Sequence, residues 1–429
     1  MQYSASIHSF GKTRMGGEVM RHFEKSLPGD FHGQSSEIAE LGWLVTRDVP
    51  LPNLVLNRDA LIANIELFQK YMDDHGALLA PHVKATMCPE VWNEQLAAGA
   101  WALTVATLGQ LEVCVAFGVS RILLANEVVD TYSAKRLAEI LAQHEHLEVI
   151  CLVDSEEGVR RLSNAMAESA SMRRLDILVE FGVHGGRTGA RSIGDVVSLA
   201  KSVASHSETL RLVGVEGYEG ILGVSRDVAF LTVVDDYLKS WVSAIRAVLP
   251  LVESSAPHLA SAGGSIYFDR VIDAFATLGR DCRLVIRSGC YATHDSGMFD
   301  KASPFGSAAP GEHPLLTPAL RIYAAVISRP ESGLAIVGAG LRDIPVSEGL
   351  PVVHAVHAAD GSVREGGALH PRKANDQHLY VDVPDDDLLA VGDVLELGIS
   401  HPCAVFERWR TLLVSNGDGQ IVGTARTYF

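Results

Sequence analysis

Apolar and polar positions along this chain follow two rhythms. From about residue 54 to 290, short apolar runs alternate with stretches whose apolar residues recur every three or four positions. The runs are Leu78–Lys84, Ala102–Val105, Arg121–Ala125, Glu148–Val153, Asp176–Phe181, Leu212–Tyr218, His258–Ser261 and Arg283–Arg287. Ahead of them, Leu61, Ile65, Phe68 and Met72 mark an amphipathic helix; further helices are predicted at Glu90–Ala98, Gly109–Phe117, Ala134–Gln143, Glu156–Ser169, Asp195–Ala204 and Val228–Val248. Most runs are too short for helices and too evenly apolar for strands with one wet face. Buried parallel strands with helical crossovers fit both facts. Eight such units match a (β/α)8 TIM barrel. A doubly wound open sheet is the competing architecture, but no G-x-G-x-x-G opens a helix after an early strand.

After Tyr291 the helical period fades. Strand-like runs appear at Leu320–Ile327, Ala335–Gly338, Val352–Val356, Leu379–Val383, Val394–Ile399 and Thr411–Val414. Turn sequences such as Gly338-Ala339-Gly340, Ala359-Asp360-Gly361 and Asn416-Gly417-Asp418-Gly419 separate them, as in an all-β domain. The expected organisation is an N-terminal extension over residues 1–50, free to pack on the β domain, a barrel over 51–310 and a C-terminal β domain over 311–429. The total of 429 residues exceeds what one ordinary core holds together.

Charge narrows the partners. The formal net charge is −16 and no basic tract occurs, which argues against nucleic acid or an anionic membrane surface. An anionic ligand must be held by local groups. No apolar run reaches membrane-spanning length, and the first 17 residues lack the apolar core of a signal peptide. Six scattered cysteines without a Cys-x-x-Cys read as reduced thiols, so a cytoplasmic enzyme is expected.

Catalytic groups in a barrel gather where strands end. The first run ends in Lys84; the fifth leads into Gly185-Gly186-Arg187-Thr188-Gly189 and the sixth into Tyr218-Glu219-Gly220. The seventh leads into Ser261-Ala262-Gly263-Gly264-Ser265 and the eighth into Ser288-Gly289-Cys290-Tyr291. A lysine at a strand end is ordinarily a side chain reaching for solvent, and a glycine pair is ordinarily a tight turn. Opposite one another they compose a phosphate grip facing an amine, the combination that pyridoxal 5'-phosphate needs.

Pro81-His82-Val83-Lys84, followed by Gln95 to Thr107, resembles the barrel of fold-type III (alanine racemase-like) pyridoxal phosphate enzymes, and most of all the D-threonine aldolase and D-serine dehydratase group. Arg121-Ile122-Leu123-Leu124-Ala125-Asn126, Gly186-Arg187-Thr188-Gly189, Gly217-Tyr218-Glu219-Gly220 and His401-Pro402-Cys403 resemble it in the same order. The resemblance implies a dimer with active sites at the subunit interface. It implies that Lys84 carries the cofactor, with Arg187 near its ring oxygen and Tyr218 near its ring. Gly263, Gly264, Ser265, Ser288, Gly289 and Tyr291 would hold the cofactor's phosphate. Many family members carry a basic residue just after the lysine, whereas this chain reads Ala85-Thr86-Met87.

His401-Pro402-Cys403 is the second clue. On an extended segment, residues i and i+2 point the same way, so imidazole and thiolate could share one ion, with zinc suited to that pair. Spacing alone is weak, because one His-x-Cys arises often by chance. The resemblance, which puts a metal site at this position, strengthens it. The expected reaction is elimination of the β-hydroxyl from a D-hydroxy amino acid such as D-serine, giving a keto acid and ammonia. Retro-aldol cleavage to glycine and an aldehyde is the alternative. By resemblance, dehydratases place a cysteine at position 403 and aldolases a harder oxygen ligand. A racemase would need a second proton donor, for which Tyr323 or Tyr380 could serve. A non-enzymatic cofactor carrier would not need the β domain. His378 is expected at most to play a polar role nearby.

Overall fold

The computed structural model describes residues 25–429, except 30, 32–34, 171–172, 280 and 308–313. It contains two sheets. Strand β1 (Asn53–Asn57) follows the short helix α1 (Ile38–Leu41) and lies in the second sheet. Eight parallel strands form the first: β2 (Leu78–Leu79), β3 (Leu103–Val105), β4 (Arg121–Glu127), β5 (Glu148–Val153), β6 (Leu175–Phe181), β7 (Leu210–Gly217), β8 (Leu259–Ala262) and β9 (Arg283–Ile286). Each pairs with its chain neighbour from β3 to β9, and β9 pairs back to β2. A parallel bridge between His82 and Thr104 joins the ends of the series into a barrel. Two further bonds complete that seam: the Thr104 amide donates to the Pro81 carbonyl at 2.8 Å and its hydroxyl to that of Ala80 at 2.7 Å.

Helices α2 (Arg58–Asp74), α3 (Pro89–Ala97), α4 (Leu108–Ala116), α5 (Thr131–Gln143), α6 (Glu156–Glu168), α7 (Ile193–Ser205), α8 (Val228–Val248) and α9 (Phe268–Phe275) follow the strands. Polar caps set several of their starts. Asn57, Thr107, Asp130, Ser155, Ser192 and Asp227 each accept a bond from an amide in the first turn, satisfying a donor the helix cannot use itself. Covered on both sides, β5 to β9 are almost continuously buried, which is why they read as unbroken apolar runs. Phe68 on α2 stacks on Tyr291 with ring centroids 4.2 Å apart and meets Phe268 edge-on. A ring of this size, fully buried, is worth about 3–5 kcal/mol over alanine.

A short helix, α10 (Met298–Ala302), leads to the β domain. Its strands are β10 (Leu320–Glu331), β11 (Leu334–Val337), β12 (Val352–His357), β13 (Val363–Glu365), β14 (His370–Ala374), β15 (Leu379–Asp382), β16 (Val394–Gly398), β17 (Thr411–Ser415) and β18 (Ile421–Arg426). The main order is β13-β12-β16-β10-β1-β17-β18, and β11, β15 and β14 continue from β10. Burial along the first half of β10 alternates residue by residue, the signature of one covered face. β1 therefore belongs to this domain although it precedes the barrel in sequence. It runs antiparallel to β10 and parallel to β17. The described part of the extension also packs here: Ser26 and Ser35 donate to the Thr411 and Thr424 carbonyls, and Lys25 pairs with buried Asp343. β13, β14 and β18 were not expected from the sequence; the first two are largely polar and exposed.

Candidate active site

A cavity of about 570 Å³ opens at the C-terminal mouth of the barrel. Lys84, Arg187, Tyr218, Gly263, Gly264, Ser265, Ser288, Gly289, His401 and Cys403 all line it. The barrel and the β domain thus both contribute to the lining, and ten of the expected site residues converge. Tyr291 does not. It is 2 % exposed, its ring lies on Phe68, and its hydroxyl accepts a bond from Gln95 at 3.0 Å. The backbone turns Tyr291 into the core behind the loop, so it is a packing residue.

Lys84 is not the last residue of a strand. β2 ends at Leu79, and Lys84 sits in the 3-10 turn Val83–Ala85, two residues past the His82–Thr104 bridge. Its side chain is open to the cavity, yet the surrounding protein lowers its pKa by desolvation, the largest effect. Arg187 and Arg287 push in the same direction. His82 keeps the turn in place: its Nδ1 lies 3.1 Å from the Thr104 carbonyl, and burial drives its pKa well below the ordinary value.

The arginines rest on an acidic floor. Arg187 lies over the Tyr218 ring at 4.6 Å and within 3.9 Å of Glu180. Arg287 pairs with Glu216, receives support from Ser261 Oγ at 2.7 Å and reaches the Gly217 carbonyl at 3.2 Å. Glu216 is fully buried, and desolvation lifts its pKa to about 7 despite Arg287. Glu127 rises to about 9 through burial and the facing Glu180 carboxylate. Burial, then Glu219, carries Tyr218 to about 12, so its phenol stays protonated.

The two glycine loops are fitted to each other before any ligand arrives. Gly263 and Gly264 amides donate to the two Glu219 carboxylate oxygens at 3.0 and 2.7 Å. Ser288 Oγ donates to the Gly264 carbonyl at 2.8 Å. Gly263, Gly264 and Ser288, expected to hold the phosphate, line the cavity, with the two glycine amides on an internal carboxylate and the Ser288 hydroxyl in a loop-to-loop bond. Ser265, Gly289 and Cys290 remain on the cavity wall. Glycine is required there. A Cβ on Gly289 would meet the His82 carbonyl oxygen at 2.3 Å, and one on Gly264 would meet the Tyr218 ring at 2.9 Å.

From the β domain come His401 and Cys403. His401 is extended, but Pro402–Ala404 forms a 3-10 turn, so the i, i+2 strand argument does not describe the backbone. The turn nevertheless brings both side chains to the cavity, close enough for each to shift the other's pKa. A bond from the Cys290 thiol and the neighbouring His401 depress Cys403 to about 6, favouring thiolate. Burial acts to lower the His401 pKa, but bonding to Cys403 raises it on balance. His401 Nδ1 is buried without a hydrogen-bond partner. An orphaned imidazole nitrogen beside a thiolate offers two donors of the kind a borderline-soft metal ion takes, and among the described residues no cluster of three or more ligating side chains forms. The glycine-lined cradle facing a desolvated lysine fits pyridoxal phosphate on the same grounds. The site's less legible members are Arg287, Glu219 and Cys290. Each sat in a strand-end motif, but only the fold shows what it touches. Among the described residues, neither Tyr323, Tyr380 nor His378 lines the cavity.

Residues 56–269 match the family described as alanine racemase, N-terminal domain, and residues 319–415 match the putative serine dehydratase domain. The chain is 27 % identical over 368 residues to a D-threonine aldolase of an Arthrobacter species, covering 85 % of this chain and 89 % of that one. The crystal structure of D-threonine aldolase from Filomicrobium marinum superposes with a TM-score of 0.74 at 24 % identity, covering 89 % and 95 % of the two chains. A metal-free form of a D-threo-3-hydroxyaspartate dehydratase mutant superposes at 0.71 with 22 % identity, covering 90 % and 99 %. With barrel, β domain and both domain matches in the same order, the chain belongs to the fold-type III, alanine racemase-like family of pyridoxal phosphate enzymes.

Proposed function

We propose that this protein is a pyridoxal phosphate-dependent lyase of β-hydroxy D-amino acids that removes the hydroxyl, as a D-serine dehydratase does. The observation that carries the reading is that His401 and Cys403 line the same cavity as Lys84. Bound pyridoxal phosphate supplies an electron sink at the amino-acid α-carbon, and a bound divalent ion, zinc by donor chemistry, supplies Lewis-acid pull on an oxygen.

The chain's own groups do the rest. Lys84, with its amine pKa lowered by burial, is suited to take the α-proton. His401 and Cys403 would hold the ion, whose Lewis-acid pull would act on the β-hydroxyl. Ser265 and the Gly289–Cys290 backbone would hold the phosphate, and Arg187, stacked over Tyr218, would offer a fixed positive charge to the cofactor ring or substrate carboxylate. Met298, Phe299 and Ile266 restrict water. Exposed Ile221, Val224 and Val228 near the mouth support a homodimer in which a second subunit covers it; size-exclusion chromatography with light scattering tests that.

Cleavage to glycine and an aldehyde is the second reading, favoured by the similarity to the Arthrobacter D-threonine aldolase over most of both chains. Cys403 and the match of residues 319–415 to the putative serine dehydratase domain favour elimination. Purified protein loaded with cofactor and zinc, assayed on D-serine and D-threonine, should release keto acid and ammonia. Glycine and aldehyde without keto acid would sink the dehydratase reading.

A further inference from the structure

Cys290 and Cys403 come from different domains, 113 residues apart in sequence, yet their Sγ atoms lie 2.8 Å from each other. Both are free thiols. The barrel loop after β9 delivers one and the 3-10 turn after β16 the other, and both line the cavity. The contact is therefore reachable by small solutes through the mouth, since Cys403 is only half-buried. A bonded pair sits at about 2.05 Å, so the sulfurs would have to approach by about 0.8 Å. A Cβ added at Gly289 would meet the His82 carbonyl oxygen at 2.3 Å, so the chain just before Cys290 lies close against that backbone. The cysteines are thus held together by the fold, not by chance mobility.

We propose that Cys290 and Cys403 are an oxidation site: a reversible disulfide between them competes with metal binding by His401 and Cys403. The consequence for metal rests on the functional reading above; the disulfide itself does not. With a low-molecular-weight disulfide such as oxidised glutathione as oxidant, the Cys403 thiolate attacks one glutathione sulfur and releases glutathione thiolate. The Cys290 thiol, losing its proton to solvent, then attacks Cys403 Sγ in the mixed disulfide and expels the second glutathione. Two protein thiols are oxidised, one small disulfide is reduced to two thiols, and the balance closes. A sulfur joined to Cys290 no longer carries the thiolate charge that a metal requires. Metal bound to Cys403 conversely shields it from the oxidant.

The test uses the full chain loaded with cofactor, with zinc or stripped of it, exposed to oxidised glutathione. Denatured, alkylation-blocked samples are counted for free thiols and mapped by non-reducing peptide mass spectrometry; zinc is measured by plasma mass spectrometry. Stripped protein should lose two of its six thiols, yield one peptide pair joining 290 to 403, and fail to bind zinc until dithiothreitol restores it. Zinc-loaded protein should oxidise more slowly. Cys290→Ser should form no joined peptide, stop at a single glutathione on Cys403, and regain zinc binding on reduction. Cys290 left free in the parental map, or glutathione resting on Cys403 without resolution, overturns the oxidation site. A joined pair in protein that still binds zinc normally refutes the competition and, separately, removes Cys403 from the metal site.

Discussion

The barrel wall of the cavity and the β-domain wall are built by different means. On the barrel side, Lys84, Arg187, Tyr218 and the glycine loops each follow a buried parallel strand, and their positions descend from a regular alternation of strands and helices. On the β-domain side a single irregular turn, His401 to Ala404, supplies the imidazole and the thiolate. The first wall is redundant: arginines rest on carboxylates, serines tie loops, and glycines fit against backbone. The second hangs on two side chains and their neighbour Cys290. On the reading proposed above, the first wall would hold the cofactor and the second would present an ion to it.

Removing one wall's chemistry should leave the other's intact. Lys84→Ala should lower turnover by on the order of 10²–10⁴-fold and abolish the Schiff-base absorbance, while zinc content stays at the parental level. Visible absorbance that survives dialysis and borohydride treatment would contradict the role of Lys84. Cys403→Ser should do the converse, losing zinc by plasma mass spectrometry while keeping the cofactor band. Its activity should fall by about 10²-fold, since Lewis-acid assistance is worth several kcal/mol.

Gly289→Ala sharpens the claim that the barrel wall is pre-fitted. Its Cβ would strike the His82 carbonyl, and the overpacking should cost about 1–3 kcal/mol in denaturant unfolding and weaken cofactor retention. Wild-type stability and cofactor affinity in this variant would show that the loop yields easily.

The last comparison concerns the acidic floor. Glu127 has an ordinary pKa of 4.5 and rises to about 9 in the folded chain. Between those values the folded protein keeps a proton that the unfolded chain has released. Raising the pH through that window therefore destabilises the fold, and below about 4.5 the difference vanishes. Thermal unfolding followed from pH 5 to 9 should show a falling melting temperature that Glu127→Gln flattens. An unchanged pH slope in the variant would remove Glu127 from the account.

The alternation of apolar runs with helical periods was enough for a barrel followed by a β domain, because burial on two faces and burial on one face leave different periods. Lys84, Arg187, Tyr218 and the glycine loops were legible because strand ends have a fixed place in that fold. β1 was not: its apolar residues look the same whichever sheet they join, and only pairing to β10 and β17 assigns it to the β domain. Nor was Tyr291, whose neighbours in sequence line the cavity while its own side chain turns back onto Phe68.

The sequence by itself thus determined the two layers of architecture and the amine, arginine and glycines of one wall, since local periodicity and strand-end position are properties of a linear chain. Only the tertiary structure decided what those groups meet. Glu219 taking the Gly263 and Gly264 amides, Glu216 beneath Arg287, and Cys290 against Cys403 are contacts between segments tens to over a hundred residues apart. No spacing rule reaches that far, because such pairs form only after the barrel has closed and the β domain has docked on its mouth.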